Sequence, residues 1–265
     1  VKKPAVKNPA VKNPAEYKLT NTITSTSNNI LELYDTNNDQ LFKLIQMVSY
    51  IGKINIDDMR NVIKANKGMK TGSDMKIMNE LADLNKKPSA LYTEKEDNKR
   101  SYKKWNVMKG RLPKITGILD YGGNVGNIAA FFGRRLFRLP REKTLVVDIN
   151  DWSGQSWTPR NDITFVHANK IKTIPSNSVN CITCFHTLHH IDPVEYNNIL
   201  SEMYRILSPG GCIVIEEHNN NTHELQQIID LVHASFDIII GKTLSFSEST
   251  VRHSAAYRSM TEWKS

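Results

Sequence analysis

Short apolar runs alternate with stretches of helical periodicity through the second half of the chain, and that alternation restricts the fold more than any other feature. The runs are Gly117–Asp120, Thr144–Asp148, Ile163–Val166, Val179–Phe185 and Cys212–Ile215. Helical stretches are predicted at 125–138, 193–207 and 222–236. Strands that alternate with helices build βαβ units, so the expected class is α/β with a mainly parallel sheet and flanking helices. Pro209-Gly210-Gly211 reads as a tight turn into the fifth strand.

The loop after the first run carries the chemistry. It reads Asp120-Tyr-Gly-Gly-Asn-Val-Gly126, with a helix beginning near Val125. Small residues let the backbone approach a ligand, and helix N-terminal amides face it. A dinucleotide fingerprint requires G-x-G-x-x-G. Counted from Gly122, the positions hold Gly122, Asn124 and Asn127, so two of three glycines are missing.

Asp120-x-Gly122-x-Asn124-x-Gly126 resembles the D-x-G-x-G-x-G motif of class I, Rossmann-like, S-adenosylmethionine (SAM) dependent methyltransferases. The similarity extends over about 115–217. It implies SAM as cofactor, held at Asp120, Gly122, Gly123, Asn124 and Gly126. Leu145-Val-Val-Asp-Ile149 resembles the family's second strand, which implies that Asp148, with Ile149 beside it, holds the ribose hydroxyls. Phe165-Val-His-Ala-Asn169 stands where the family often has G-D-A, so Asn169 would offer an amide oxygen to the adenine. The block Ile174–Ile191 resembles the fourth-strand region, which implies a further cofactor contact at Phe185, the end of its strand, and Leu207-Ser-Pro-Gly-Gly resembles the entrance to strand five. The Leu188-His-His190 ending is similar to that of ubiquinone-biosynthesis-type methyltransferases. Asn124 replaces the middle glycine; Asn tolerates left-handed backbone angles, so the loop shape is expected to survive. Tyr257–Trp263 resembles the start of the family's last helix, and the chain as given has no residues for the antiparallel strands that follow it there.

His186 lies at the carboxyl end of the fourth strand, and Glu216, Glu217 and His218 end the fifth. Ligands of open α/β sheets bind at that edge. His186 and His218 are therefore the catalytic candidates, acting as bases if the acceptor must lose a proton. No metal site is expected: Cys181 and Cys184 are three apart within one strand and face opposite sides of the sheet.

The first half differs. Residues 1–15 repeat a Val-Lys-(Lys/Asn)-Pro-Ala pentapeptide, and Pro every fifth residue prevents a helix. A flexible linker is expected over 1–38 and a basic helical region over 39–114, with the SAM-binding domain over 115–265. Leu41, Leu44, Ile45 and Val48 share one helical face, Gly52 interrupts it, Asp57 or Asp58 starts the next helix, and Ser73–Asn85 forms a third. Residues 1–119 hold 22 Lys and Arg against 12 Asp and Glu, net +10, whereas the remainder is net −2. Segment 86–114 interleaves its cations with Tyr92, Tyr102 and Trp105. It suits RNA, including cap chemistry, or a lid that packs over the cofactor through Tyr102 and Trp105 with its lysines outward. Residues 219–256 are a second candidate lid, over the acceptor. No run of about 18 apolar residues occurs, so no membrane partner is expected. Three cysteines inside apolar runs fit reduced thiols and a cytoplasmic location. The Asn-, Lys- and Ile-rich composition suggests an AT-rich, viral-type genome. The expected activity is methyl transfer to an unidentified acceptor, RNA or a small molecule. The alternative is an inactive, scaffold-like domain of a larger polypeptide, which a start at Val1 also suits.

Overall fold

The computed structural model describes residues 20–21, 27–85, 94–149, 160–240 and 254–264. The pentapeptide repeat, Tyr92 and residues 241–253 lie outside the described residues. In chain order the first elements are strand β1 (Thr20–Asn21) and helices α1 (Asn29–Asp35), α2 (Asp39–Gly52), α3 (Ile56–Ala65), α4 (Ser73–Leu84) and α5 (Glu94–Met108).

Capping explains the helix starts. The Asn38 side chain accepts from the Gln40 and Leu41 amides at α2, and α2 ends at Lys53 in the left-handed region. Asn55 caps α3 by accepting from Asp57 and Asp58, so the cap lies two residues before the expected aspartates, which instead favour the first turn electrostatically. The long-range cap is Asp74, whose carboxylate accepts from the Asn29 and Ile30 amides and so fixes α1 against α4. The boundary of the expected linker therefore moves. Residues 29–35 form a helix whose Ile30, Leu31 and Leu33 are buried, because three apolar side chains on one short helix reach a core supplied by distant segments.

The sheet contains β2 (Ile118–Tyr121), β3 (Thr144–Asp148), β4 (Thr164–His167), β5 (Val179–Phe185) and β6 (Leu207–Glu216). All pairings are parallel and the order is β4-β3-β2-β5-β6, a Rossmann-like arrangement. The partner of β5 jumps from Leu207 opposite Val179 to Cys212 opposite Cys181, so Ser208–Gly211 bulge out of the ladder. Gly210 has φ 78°, which is why the expected turn sits inside a strand. Between the strands lie α6 (Asn127–Ala129), continued by a π-helical turn over Ala130–Leu136, and α7 (Tyr196–Ile206). After β6 come α8 (His223–Ala234), continued by a π turn over Ser235–Ile240, then β7 (Ser254–Ala255) and α9 (Met260–Lys264). β7 pairs antiparallel with β1, not with the main sheet.

Side-chain alternation divides the sheet into two faces. Ile118, Cys181 and Phe185 meet Phe132, Phe137, Trp105 and Met108 on one face. Leu119, Ile182 and Cys184 meet Met203 and Ile206 of α7 on the other. Cys181 and Cys184 thus lie on opposite faces as free thiols, as their spacing predicts.

A third core unites α1–α4 with α8: Ile228, Leu231, Ala234, Ile238 and Ile239 pack among Leu41, Val48, Ile63 and Met78. The helical unit is completed by the C-terminal half, so the expected division at 114/115 does not describe it. No described helix is long and apolar enough to cross a membrane. Leu231 is fully buried where the two halves meet. Leu231→Ala is expected to cost about 2–5 kcal/mol of stability, measured by urea unfolding.

Candidate active site

The order of strands reverses between β2 and β5, and a crevice opens outside their carboxyl ends at such a switch point. The glycine loop crosses this crevice. Gly122 has φ 72°, its amide donates to the Val147 carbonyl at 2.7 Å, and a Cβ there would stand 2.3 Å from Thr187. Asn124 takes φ 54°, the left-handed conformation expected of the glycine it replaces. Its side-chain oxygen accepts from the Val125 amide, and its own amide donates to Asp148 Oδ2 at 2.7 Å. Gly126, at φ 89°, precedes α6.

Asp120 lies beneath this loop. Its Oδ1 accepts from Thr183 Oγ1 at 2.7 Å, while Oδ2 is buried without a partner among the described residues. A Cβ at Gly123 would come within 2.7 Å of that oxygen. Burial pushes the Asp120 carboxyl up to about 7; the Thr183 hydrogen bond opposes the rise and the charge of Asp148 adds to it.

The remaining cofactor candidates occupy the same edge in different states. Asp148 is buried at the end of β3, whereas Ile149 beside it is 76% exposed. Asn169 follows β4, and its side-chain oxygen lies 2.7 Å from His167 Nδ1. Phe185 is covered by Lys104, whose Nζ sits 4.5 Å over the ring centroid.

On the β5–β6 side, His186 adopts φ 52° and its amide donates to the Glu216 carbonyl. His186 Nε2 lies 2.9 Å from Glu216 Oε1, and Lys104 Nζ reaches the same oxygen at 2.5 Å. The hydrogen bond from His186, then the hydrogen bond and charge of Lys104, hold the Glu216 carboxyl down at about 2 against the opposing effect of burial. His218 packs 4.7 Å from His186, ring centre to ring centre. Burial, followed by the neighbouring His189 and His186, lowers His218 to about 4, so it is neutral near pH 7 and a weak base. The structure thus brings both catalytic candidates together, but only His186 carries a carboxylate partner.

Lys104 was not legible as a site residue. The lid reading turned the α5 lysines outward, yet Lys104 is only 12% exposed. Trp105 packs edge-on against Phe137 at 5.4 Å, whereas Tyr102 is 55% exposed and does not anchor the helix. Lys99, Arg100, Lys103, Lys109, Arg111 and Lys114 do face solvent. A charged helix gives no sign of which cation meets a carboxylate until the β6 terminus is placed.

The methyltransferase domain family matches residues 76–252, more than half of the chain. The chain belongs to that family. Among curated relatives it is 26% identical to the ubiquinone/menaquinone biosynthesis C-methyltransferase UbiE of Pseudomonas putida (strain W619), over 59% of this chain and 63% of the relative. The UbiE of Hahella chejuensis (strain KCTC 2396) is also 26% identical, over 62% and 65%. The chain spans less than two thirds of the length of these relatives. Among solved structures, human N-acetylserotonin methyltransferase in complex with SAM aligns with 84% of this chain and 61% of its own, at 16% identity and a TM-score of 0.40.

SAM is the family's cofactor, and the loop of this methyltransferase domain fits it. Gly122 and Gly123 let the loop lie directly on Thr187 and Asp120, where a Cβ would collide, and the buried Asp120 Oδ2 has no partner among the described residues. Two tests follow. Asp148→Ala is expected to weaken SAM by about 10- to 100-fold in calorimetry, since charge-assisted hydrogen bonds contribute roughly 1.5–3 kcal/mol. The second concerns pH in the absence of cofactor. Because the Asp120 carboxyl is raised in the folded state, its contribution to stability is present below about pH 4 and is lost as pH rises through about 7. Asp120→Asn avoids that loss. Its stability relative to the parent should therefore climb between pH 4 and 7 and reach roughly 2–4 kcal/mol above pH 7 in urea titrations.

Proposed function

We propose that this domain transfers a methyl group from SAM to a small-molecule acceptor with an electron-rich, hydroxyl-bearing ring. The observation that carries this reading is the Lys104–Glu216–His186 cluster at the carboxyl edge of β5 and β6, beside the glycine loop. The similarity to C-methyltransferases of quinone biosynthesis supports the choice of acceptor.

SAM supplies an activated methyl group on a sulfonium centre. The protein's part is orientation and proton handling. With Nε2–H donating to Glu216, the His186 ring presents Nδ1 as its lone-pair nitrogen, and Nδ1 is buried without a partner among the described residues. An acceptor hydroxyl that loses its proton to Nδ1 would give an aryloxide, whose ring carbon would take the methyl as the methyl–sulfur bond breaks and would then lose its own proton to water as the ring becomes aromatic again. Lys104 fixes the Glu216 carboxylate, which in turn holds the His186 ring. Asp148, Asn124 and the loop amides would hold the cofactor, with Ile149 as an apolar neighbour and Asn169 beside the adenine.

The test is transfer of labelled methyl to three acceptor pools: hydroquinones and phenols, a generic RNA, and protein. Label in the aromatic pool is expected. His186→Ala should lower turnover by about 100-fold with SAM affinity nearly unchanged. Label in RNA, steeply lost with salt, would instead promote the solvent-facing cations of α5 to a binding surface. SAM binding with no transfer to any pool would favour the scaffold alternative.

A further inference from the structure

Beyond the methyl-transfer edge lies a group of imidazoles with no part in that reaction. His189 opens the segment after β5 and is fully buried. His190 follows it at the surface, and His233 comes from α8. One ligand nitrogen from each lies within 4.8 Å of the others. The ring centres are 4.0 Å apart for His189–His190, 5.4 Å for His189–His233 and 5.2 Å for His190–His233.

The surrounding hydrogen bonds define the ring states. His189 Nδ1 lies 2.6 Å from Glu217 Oε2, and the Glu217 side chain is 3% exposed. Glu217 also accepts from the Thr187 and Leu188 amides. A carboxylate so placed accepts the Nδ1 proton, which leaves Nε2 with the lone pair. His189 Nε2 is buried and has no partner among the described residues. His233 Nδ1 faces the Ile229 carbonyl at 2.9 Å and the Tyr257 hydroxyl at 3.1 Å. Tyr257 itself hydrogen-bonds to Asp230. A carbonyl accepts only, so the His233 proton is also on Nδ1 and the lone pair is on Nε2. Two buried or half-buried imidazoles are therefore held in the tautomer that metal ligands adopt, each with an oxygen acceptor behind it.

We propose that His189, His190 and His233 form a site for one divalent transition-metal ion of the zinc class. Imidazole nitrogen suits zinc, and three histidines leave one position open for water. Tetrahedral nitrogens about 2.0–2.1 Å from zinc sit roughly 3.4 Å apart, so small ring rotations close the present spacing. His190 opens the site to solvent. The cation ties the segment after β5 to α8, and through α8 to the helical core of α1–α4. Its role is a clamp between the two halves, independent of the methyl-transfer reading.

The experiment is zinc titration of the untagged full chain by calorimetry, with cobalt as an optical probe of nitrogen coordination and melting recorded with and without zinc. One zinc per chain is expected, together with a cobalt spectrum of tetrahedral type and a higher melting temperature in zinc. His190→Ala, at an exposed position, should weaken zinc by at least about tenfold and abolish the cobalt spectrum, and His233→Ala should do the same. His223→Ala, on an exposed histidine outside the cluster, should leave zinc affinity unchanged. Zinc affinity that is absent in the parent, or equal in parent and His190→Ala, overturns the proposal.

Discussion

The Glu217 carboxylate makes the interaction on which the carboxyl edge of β5 and β6 depends. Burial of a lone carboxylate costs several kcal/mol unless hydrogen bonds replace its water. Burial alone would raise its pKa; the hydrogen bond and charge of His189, with the amides of Leu188 and Thr187, outweigh that and keep it below the ordinary range. Those donors all belong to the segment that leaves β5. The end of β6 thus fixes the path of the chain after β5. That path puts Thr187 against Gly122 and His189 beside His233.

Glu216 does the complementary work on the opposite face. Successive residues of an extended chain point to opposite sides, so Glu216 faces α5 where Glu217, just past the strand, meets the segment after β5. Lys104 comes in from α5 to meet it, over the ring of Phe185. One dipeptide at a strand end therefore holds two imidazoles, His186 through Glu216 and His189 through Glu217. His218 lies between them, with its ring centre 4.7 Å from that of His186 and 5.0 Å from that of His189.

The methyltransferase domain departs from its family's motif at Asn124, and the structure supplies a compensation. Asn pays a steric cost in the left-handed region that Gly does not. Its side-chain oxygen recovers part of that cost by accepting the Val125 amide, and its own amide holds Asp148. The substitution thereby links the loop to the acidic residue at the end of β3 by a direct hydrogen bond.

Much of this was legible in the sequence because it is local. Five apolar runs at strand length, a glycine loop after the first and a Pro-Gly-Gly break before the last determine a parallel sheet and the position of its binding edge. The opposite facing of Cys181 and Cys184 follows from the two-residue period of a strand alone. The side-chain partners were not legible, because they join residues far apart in the chain. Lys104 and Glu216 are both charged residues in polar surroundings until β6 brings them together. His233 reads as one polar residue on an amphipathic helix until α8 crosses the loop after β5. Ile30, Leu31 and Leu33 are too few to announce a helix; α1 forms because Asp74, from α4, caps it and because α8 completes the core it enters. Periodicity decides the elements and which face each one buries. Only packing decides which charge or imidazole meets which.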